Sequence, residues 1–210
     1  MIKVLPQPEP VTFEDLVRQP GKAHLASLAG KSPLTNKDFE NKEYWSLCHD
    51  DLFRAFEGIC AYYCIKLNRQ HGSDQQSTVD HYKPKSAYPE LAYEWSNYRL
   101  SSATANAKKS GKLSVLDPFS IEDRWFRLNF VTGKVEIKHI PPQHKIIAEN
   151  TVRSLLNDKR ICDYRLKIYE QYQDDISKLK GNKAQQENRK LLLKQESPFV
   201  YNQAVLQRKI

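Results

Sequence analysis

The sequence is poor in glycine and cysteine and has no long apolar run. Its 210 residues include 7 glycines and 4 cysteines, which excludes a glycine-rich fibrous protein and a disulfide framework. The longest apolar stretch, around Ile59 to Ile65, is far shorter than the roughly 18 residues that a membrane span needs. Proline at Pro6 interrupts the N-terminus before the apolar region of a signal peptide can form. We therefore expect a cytoplasmic protein without a membrane segment.

What the sequence does contain is abundant charge with a basic excess. Lys and Arg number 33 and Asp and Glu number 25, so the formal net charge is +8, while 40% of the residues are hydrophobic. This is the composition of an ordinary globular protein, and the length allows one decorated domain or two small ones. The basic excess favours a polyanionic partner such as nucleic acid, although charge alone does not identify one.

Hydrophobic periodicity predicts a helix-rich α+β fold. A helix with one buried face is predicted from Asn36 onwards, and a hairpin is predicted from Phe126 to Ile137 around Thr132 and Gly133. A long helix with an apolar stripe is predicted to follow. The polar and aromatic runs between residues 60 and 118 suit strands and loops, and we expect the chemistry there.

These patterns divide the chain into three segments. Residues 1–57 are predicted to form an N-terminal arm and helix, and residues 58–120 the functional core. Residues 121–210 are predicted to form a C-terminal hairpin and helical region, which we expect to make one compact unit with the core.

Four polar residues of the central block suit phosphodiester cleavage. Asp80 and His81 end a β-like run, Asn97 follows His81 by 16 residues, and Asn106 follows Asn97 by 9. Asp80 and Asn106 offer the hard oxygen ligands that Mg²⁺ or Mn²⁺ prefers. His81 can act as the general base, and the Asn97 amide can orient its imidazole. A free imidazole has a pKa of about 6.5, so activity is expected to fall below that pH unless burial moves the pKa.

Basic residues surround this constellation and are predicted to contact nucleic-acid phosphates. A solvated charged face is the alternative interpretation for each of them. The predicted phosphate contacts are Lys83, Lys85, Arg99, Lys108 and Lys109.

The central block resembles the HNH endonuclease family with its ββα-metal motif. Asp80 with His81, Asn97 and Asn106 match the first, middle and last positions of the HNH pattern, with Asn at the last position where many members have His. The sequence also resembles the PtuB-type HNH nucleases of Septu and retron anti-phage systems. That resemblance is carried by the runs Val79–Ser86, Tyr88–Leu100 and Val115–Phe119, and by Pro8–Pro10, Val17–Gly21 and Thr151–Arg165 towards the ends.

The resemblance implies a central ββα-metal motif between N- and C-terminal helices. It implies an endonuclease that uses Mg²⁺ or Mn²⁺, with DNA as the favoured substrate. It implies a PtuA-like ABC-type ATPase that holds the nuclease in check and, in a retron-linked system, a reverse transcriptase with its RNA–DNA product. Two alternatives stay open: an effector that cleaves RNA, tRNA included, and a non-catalytic adaptor that binds the ATPase.

The sequence departs from many HNH proteins in its cysteines. Those proteins clamp the motif with two Cys pairs around a structural zinc, which needs four ligands. Here Cys60 and Cys64 form one pair, and the expected second pair is replaced by Ser101, Ser102, Ala103 and Ala105. Because two thiolates do not complete a tetrahedral site, we expect apolar packing, and not structural zinc, to hold the motif.

Overall fold

Helices and two antiparallel strand pairs make up the regular structure of the computed structural model, which describes residues 1–69, 75–110 and 114–210. The protein is therefore of the α+β class, as predicted. The strands are β1 (Ser77–His81), β2 (Tyr98–Ser102), β3 (Phe126–Leu128) and β4 (Val135–Ile137). The α-helices are α1 (Gln19–Ser27), α2 (His49–Ala55), α3 (Ala103–Lys109), α4 (Lys145–Thr151), α5 (Lys159–Lys178), α6 (Lys183–Glu196) and α7 (Pro198–Leu206). None of the helices in these ranges is long and apolar enough to cross a bilayer.

Short helical segments connect these elements. The π-helical segments are Glu14–Arg18 and Val152–Leu156, and the 3₁₀ segments are Asn36–Phe39, Tyr44–Cys48, Pro89–Leu91, Trp95–Asn97, Asp123–Trp125 and Pro142–His144. The prediction of a continuous helix from Asn36 is therefore wrong. The chain turns at Asn41, whose φ of 60° is left-handed, and the α-helix begins only at α2. Apolar residues three or four apart can be buried by successive turns as well as by one helix.

Contacts divide the chain into two units, which we describe separately. The N-terminal unit comprises Leu5–Cys60 and Leu67–Leu113, and the C-terminal unit comprises Met1–Val4, Ala61–Lys66 and Ser114–Ile210. This grouping differs from the three segments expected from the sequence. Most of the N-terminal arm shares a unit with the central block, whereas residues 121–210 belong to the other unit.

In the N-terminal unit, β1 and β2 pair antiparallel and α3 follows β2 at once. The register places Asp80 opposite Arg99, and His81 opposite Tyr98. Ser102, the last residue of β2, accepts a hydrogen bond from the backbone N–H of Ala105 at 3.1 Å. This side-chain cap satisfies a donor in the first turn of α3 and fixes where the helix begins.

The N-terminal arm belongs to the same core as these strands. The ring of Phe13 packs edge-on against Trp95 and Tyr98, with ring centres 5.7 and 5.8 Å away. Gly21 allows a close approach on α1, because a β-carbon there would lie 2.1 Å from the ring of Tyr93. These aromatic contacts explain why the arm and the central block form one unit.

The C-terminal unit contains the hairpin that the sequence predicts. β3 pairs antiparallel with β4, with Phe126 opposite Ile137 and Leu128 opposite Val135. Gly133 lies in the turn with a φ of +66°, and a β-carbon there would lie 2.2 Å from the carbonyl oxygen of Cys162. Both the backbone conformation and the lack of space require glycine at this position.

Side-chain amides occupy the outer backbone groups of both hairpin strands. The Gln203 Oε1 atom accepts from the N–H of Leu128 at 2.9 Å, and its Nε2 donates to the carbonyl of Phe126 at 3.1 Å. On the other strand, Asn157 Oδ1 accepts from the N–H of Val135 at 2.7 Å, and Asn157 Nδ2 donates to the carbonyl of Val135 at 3.1 Å. These bonds tie the small sheet to α7 and to the segment before α5.

Candidate functional site

A half-open cleft in the N-terminal unit gathers three of the four residues predicted to carry the chemistry. It has a volume of about 690 Å³. Asp80 and His81 reach it from the C-terminal end of β1, Asn106 from the middle of α3, and Trp45 and Lys85 from the surrounding segments. The pairing of β1 with β2, followed directly by α3, brings these side chains together.

The imidazole of His81 is held in one orientation and one tautomer. Its Nε2 lies 2.8 Å from the carbonyl oxygen of Ala92. Because a carbonyl oxygen only accepts hydrogen bonds, Nε2 carries the proton and Nδ1 is left as the acceptor. The rings of Trp45 and Tyr98 pack edge-on against the imidazole at 4.7 and 5.1 Å. His81 therefore offers an unprotonated nitrogen in a fixed position.

Burial lowers the pKa of His81 to about 3. The positive charges of Lys85 and Lys109 lower the pKa further, while the hydrogen bond to Ala92 opposes the shift. The imidazole is therefore neutral throughout the physiological pH range. The loss of activity that the sequence led us to expect below about pH 6.5 moves correspondingly to lower pH.

We predict that His81 does not titrate between pH 8 and 5 in the metal-free protein. In the unfolded chain the His81 imidazole takes up a proton near pH 6.5. In the native protein the buried imidazole stays neutral at that pH. The free energy of unfolding therefore falls as pH falls from about 6.5 towards 3, by up to about 1.4 kcal/mol per pH unit. The ring nitrogen shifts of His81, followed by NMR in EDTA, give the measurement. A titration midpoint of His81 near pH 6.5 would contradict the burial of its ring.

Asp80 forms a buried ion pair with a lysine of α3. The Lys109 Nζ atom lies 3.1 Å from Asp80 Oδ1 and 2.7 Å from the carbonyl oxygen of His81. Asp80 is 3% exposed and Lys109 is 1% exposed. We predicted Lys109 as a phosphate contact, but a buried ammonium group that already holds β1 to α3 cannot reach a phosphate. We reassign Lys109 to positioning Asp80 and His81.

Arg99 is also buried, so its predicted phosphate contact needs the same correction. It is 3% exposed, and its Nη1 donates to the carbonyl oxygens of Ser96 and Tyr98 at 2.8 Å each. Its guanidinium group lies over the ring of Tyr82 at 5.2 Å. These contacts make Arg99 part of the support of β2.

Asn97 supports the segment that leads from β1 to Ala92. Its Nδ2 donates to the carbonyl oxygens of Lys83 and Leu91 at 3.0 Å each, and its Oδ1 accepts from the N–H of Lys83 at 2.8 Å. We predicted that the Asn97 amide orients the imidazole of His81, but the Ala92 carbonyl makes that hydrogen bond. Asn97 is therefore a positioning residue that acts through the backbone.

The other predicted basic residues differ in their access to the cleft. Lys85 lines it, with Nζ 5.1 Å from the ring centre of Trp45, and burial lowers its pKa. Lys83 is exposed, with its Nζ 5.0 Å from the ring centre of Tyr88. Lys108 is half-buried on α3 and is not among the lining residues. Lys85 is the cation best placed to meet an anion in the cleft.

The donor set of the cleft suits a hard divalent cation. Asn106 Nδ2 lies within 3.3 Å of Thr78 Oγ1 and 3.4 Å of the carbonyl oxygen of Val79, so its Oδ1 is the atom available to a cation. Asp80 supplies a carboxylate to the same cleft. Over residues 1–69, 75–110 and 114–210, no three or more His, Cys, Asp and Glu side chains cluster as metal ligands. Mg²⁺ accepts such a sparse set, because it keeps several waters and binds substrate phosphates.

Cys60 packs where the second Cys pair of a zinc-clamped motif is expected. Its Sγ accepts a hydrogen bond from the backbone N–H of Ser102 at 3.4 Å, and both groups are buried. The sulfur therefore contacts the junction of β2 and α3 directly. Cys64 is buried in the C-terminal unit.

Comparison with known proteins assigns no family to this geometry. No protein-family model matches the sequence, and no curated protein matches it either. The interpretation of the cleft therefore depends on its residues. Sequence reasoning predicted Asp80, His81 and Asn106 there, but missed the Ala92 carbonyl and the inward role of Lys109. The spacing of Asn106 and Lys109, three residues apart on one helix face, is the signal that could have indicated the latter.

Proposed function

We propose that this protein is a metal-dependent HNH endonuclease that hydrolyses phosphodiester bonds in nucleic acid, with DNA as the favoured substrate. The observation that supports the proposal most is the meeting of Asp80, His81 and Asn106 in one half-open cleft. A carboxylate, an amide oxygen and a neutral imidazole with an accepting Nδ1 are the groups that water-driven phosphodiester cleavage needs. The strand–strand–helix order of β1, β2 and α3 agrees with the ββα-metal motif.

In this proposal His81 is the general base. Nδ1 takes a proton from the water that attacks the phosphorus in line with the leaving 3′ oxygen. The hydrogen bond from Nε2 to Ala92 keeps Nδ1 available throughout, and Asn97 holds the segment that carries Ala92. Lys85 offers a positive charge to the phosphate at the cleft wall. The entering phosphate brings negative charge, which raises the affinity of the imidazole for the proton that it must accept.

Asp80 and Asn106 would hold the divalent cation, Mg²⁺ or Mn²⁺. Such an ion supplies charge stabilisation for the leaving oxygen. Lys109 contacts Asp80 through Oδ1 and also holds the carbonyl of His81, so it fixes the carboxylate and the base relative to each other. We regard Lys109 as a positioning residue for both.

We further propose that the nuclease acts in an anti-phage complex with an ABC-type ATPase of the PtuA kind. The support is the resemblance of the motif and its flanking runs to PtuB-type nucleases. A retron reverse transcriptase with its RNA–DNA product would join the complex in a retron-linked system. Regulation by a partner predicts that the isolated protein binds metal but cuts poorly until the ATPase is present and active.

The test compares wild type with two substitutions of Asn106. Supercoiled plasmid, single-stranded DNA and total tRNA are incubated with Mg²⁺, Mn²⁺ or EDTA, alone and with the ATPase. We expect cleavage only with metal. Asn106→Leu is expected to raise the Mg²⁺ concentration for half-maximal rate by about tenfold or more, whereas Asn106→His, which supplies another ligand, is expected to retain cleavage. Asn188→Leu on the exposed face of α6 is the matched control.

The same panel separates the alternatives. Cleavage of tRNA with intact DNA would identify an RNA-directed effector. Absence of cleavage under every condition, with unchanged nucleic-acid binding in the Asn106 variants, would contradict the enzyme and favour the adaptor. Equal metal dependence in Asn106→Leu and wild type would remove Asn106 from the metal site.

A further inference from the structure

The basic excess of the chain lies in the C-terminal unit. That unit holds 20 of the 33 Lys and Arg residues and 12 of the 25 Asp and Glu residues. The N-terminal unit holds the remaining 13 of each kind. The formal net charge of +8 therefore belongs to the C-terminal unit, while the unit that carries the cleft is formally neutral.

The cleft itself offers few cations for a long polyanion. Arg99 and Lys109 are buried and bonded to internal partners. Among the described residues that line the cleft, Lys85 is the only Lys or Arg, and the exposed Lys83 is two residues away in sequence. Affinity for nucleic acid depends mainly on the number of phosphates that basic side chains neutralise. The excess of basic residues in the C-terminal unit makes that unit the place to look for a stronger electrostatic hold on nucleic acid.

A groove in the C-terminal unit is lined by several exposed basic residues. It has a volume of about 550 Å³ and is formed beside β3 and the end of α7. Within the part of the chain that the structure describes, no carboxylate lines it. Its exposed basic lining residues are Arg124, Arg127, Lys138, His139 and Lys209.

The arginine and lysine side chains of the groove are available to a ligand. Arg127 donates through Nε to the neutral amide of Gln207 at 3.4 Å. Lys209 Nζ lies 5.3 Å from the ring centre of Phe130. Arg124 and Lys138 form ion pairs with acidic neighbours just outside the lining, but both pairs are exposed. Exposed ion pairs contribute about 1 kcal/mol or less, so phosphates can replace them.

The end of α7 carries the partial negative charge of a helix C-terminus, and backbone hydrogen bonds satisfy some of its last carbonyls. The carbonyl of Gln203 accepts from the N–H of Gln207 at 3.0 Å, and the carbonyl of Ala204 accepts from the N–H of Lys209 at 2.8 Å. These two carbonyls are thus already bonded within the chain. The side chains of Arg127 and Lys209 add full positive charges to the lining of the groove.

We propose that this groove is a binding site for the phosphate backbone of nucleic acid. Guanidinium groups match phosphate oxygens through paired N–H donors, and lysine adds point charges along the strand. A concave basic surface suits a polymer backbone, as in proteins whose grooves track single strands. The choice of nucleic acid as the polyanion rests on the proposed function, whereas binding in the groove does not require cleavage.

The test is a binding measurement without cleavage. Fluorescence anisotropy follows a short labelled DNA duplex, its single strand and the matching RNA in EDTA over a salt series. The groove variant is Arg127→Gln, Lys138→Gln and Lys209→Gln combined. The matched control, Lys167→Gln, Lys180→Gln and Lys183→Gln combined, removes the same charge from exposed sites on and between α5 and α6. Thermal unfolding checks that both variants fold.

The groove variant is expected to bind about tenfold or more weakly at low salt. Its slope of log affinity against log salt is expected to fall by up to about 2.7, or about 0.9 for each duplex phosphate that the variant no longer neutralises. The control is expected to bind within about threefold of wild type. Equal weakening in both variants would attribute binding to net charge and overturn the proposal, as would absence of binding by wild type.

The two proposals fail separately. If the protein cleaves nucleic acid and the groove variant binds with an unchanged salt slope, the proposal of nuclease activity is retained and the proposal of a binding site in the groove is overturned. A groove-dependent slope without cleavage under any metal condition would retain the groove and overturn the nuclease.

Discussion

Replacing His81 with alanine is expected to lower kcat/KM for nucleic-acid cleavage by about 10²- to 10⁴-fold, the usual contribution of a general base. The variant removes the Nδ1 acceptor and leaves Asp80 and Asn106 in place. Metal affinity, measured by the Mg²⁺ dependence of thermal unfolding, is expected to change much less than the rate. His81→Asn, which keeps an N–H donor for the Ala92 carbonyl, is expected to lose activity to a similar extent.

His24 provides a matched control. Its Nε2 lies 2.8 Å from the carbonyl of Asp38, and its ring packs edge-on against Phe39 and Tyr93. It therefore makes the same kinds of contact in the same unit, but it does not line the cleft. His24→Ala is expected to lose stability without a comparable loss in rate. A His81→Ala rate within about threefold of wild type would exclude His81 as the base.

Replacing Lys109 with methionine is expected to lower the free energy of unfolding by about 3 kcal/mol, near the lower end of the range for breaking a buried ion pair. The loss arises because the buried Asp80 carboxylate and the His81 carbonyl lose a charged donor. Arg99 lies opposite Asp80 on β2. Its positive charge is expected to compensate part of the negative charge of Asp80 after Lys109 is replaced. Urea unfolding followed by circular dichroism measures the change.

Three comparisons make this result specific. Lys108→Met changes the neighbouring, half-buried lysine of α3 and is expected to cost less than about 1 kcal/mol. Adding Asp80→Asn to Lys109→Met is expected to show a coupling of about 1 to 3 kcal/mol, because the unpaired charge is removed. Mg²⁺ is expected to raise the Tm of Lys109→Met more than that of wild type, because an ion at Asp80 would replace the ammonium charge. No coupling between the two substitutions would contradict the ion pair.

Local sequence patterns predicted the elements whose signals are local. The hairpin around Thr132 and Gly133 was predicted from alternating residues and a turn, and β3 and β4 confirm it. The run ending at His81 was predicted as a strand and forms β1. The prediction of a helix from Asn36 was wrong because periodic burial does not distinguish one helix from several short turns. The N-terminal arm joins the central block through Phe13 and its aromatic neighbours, which are far away in sequence.

The candidate site was predictable where a residue type carries the chemistry. Asp80, His81 and Asn106 were identified in this way, and the structure places them in one cleft. The partner of His81 was not predictable, because it is a backbone carbonyl and alanine gives no signal of that role. The burial of Arg99 and Lys109 was also missed, since a basic run is ordinarily solvated and only the packed structure shows which members turn inward.

The side-chain amides on the hairpin of the C-terminal unit have one more consequence. An unpaired strand border is a template on which another polypeptide can add itself, and a short hairpin has two such borders. Gln203 takes up main-chain groups of β3, and Asn157 takes up those of Val135 on β4. Intermolecular strand addition is thus blocked at these positions. What approaches β3 from outside therefore meets side chains such as Arg127, and recognition there is set by charge rather than by main-chain pairing.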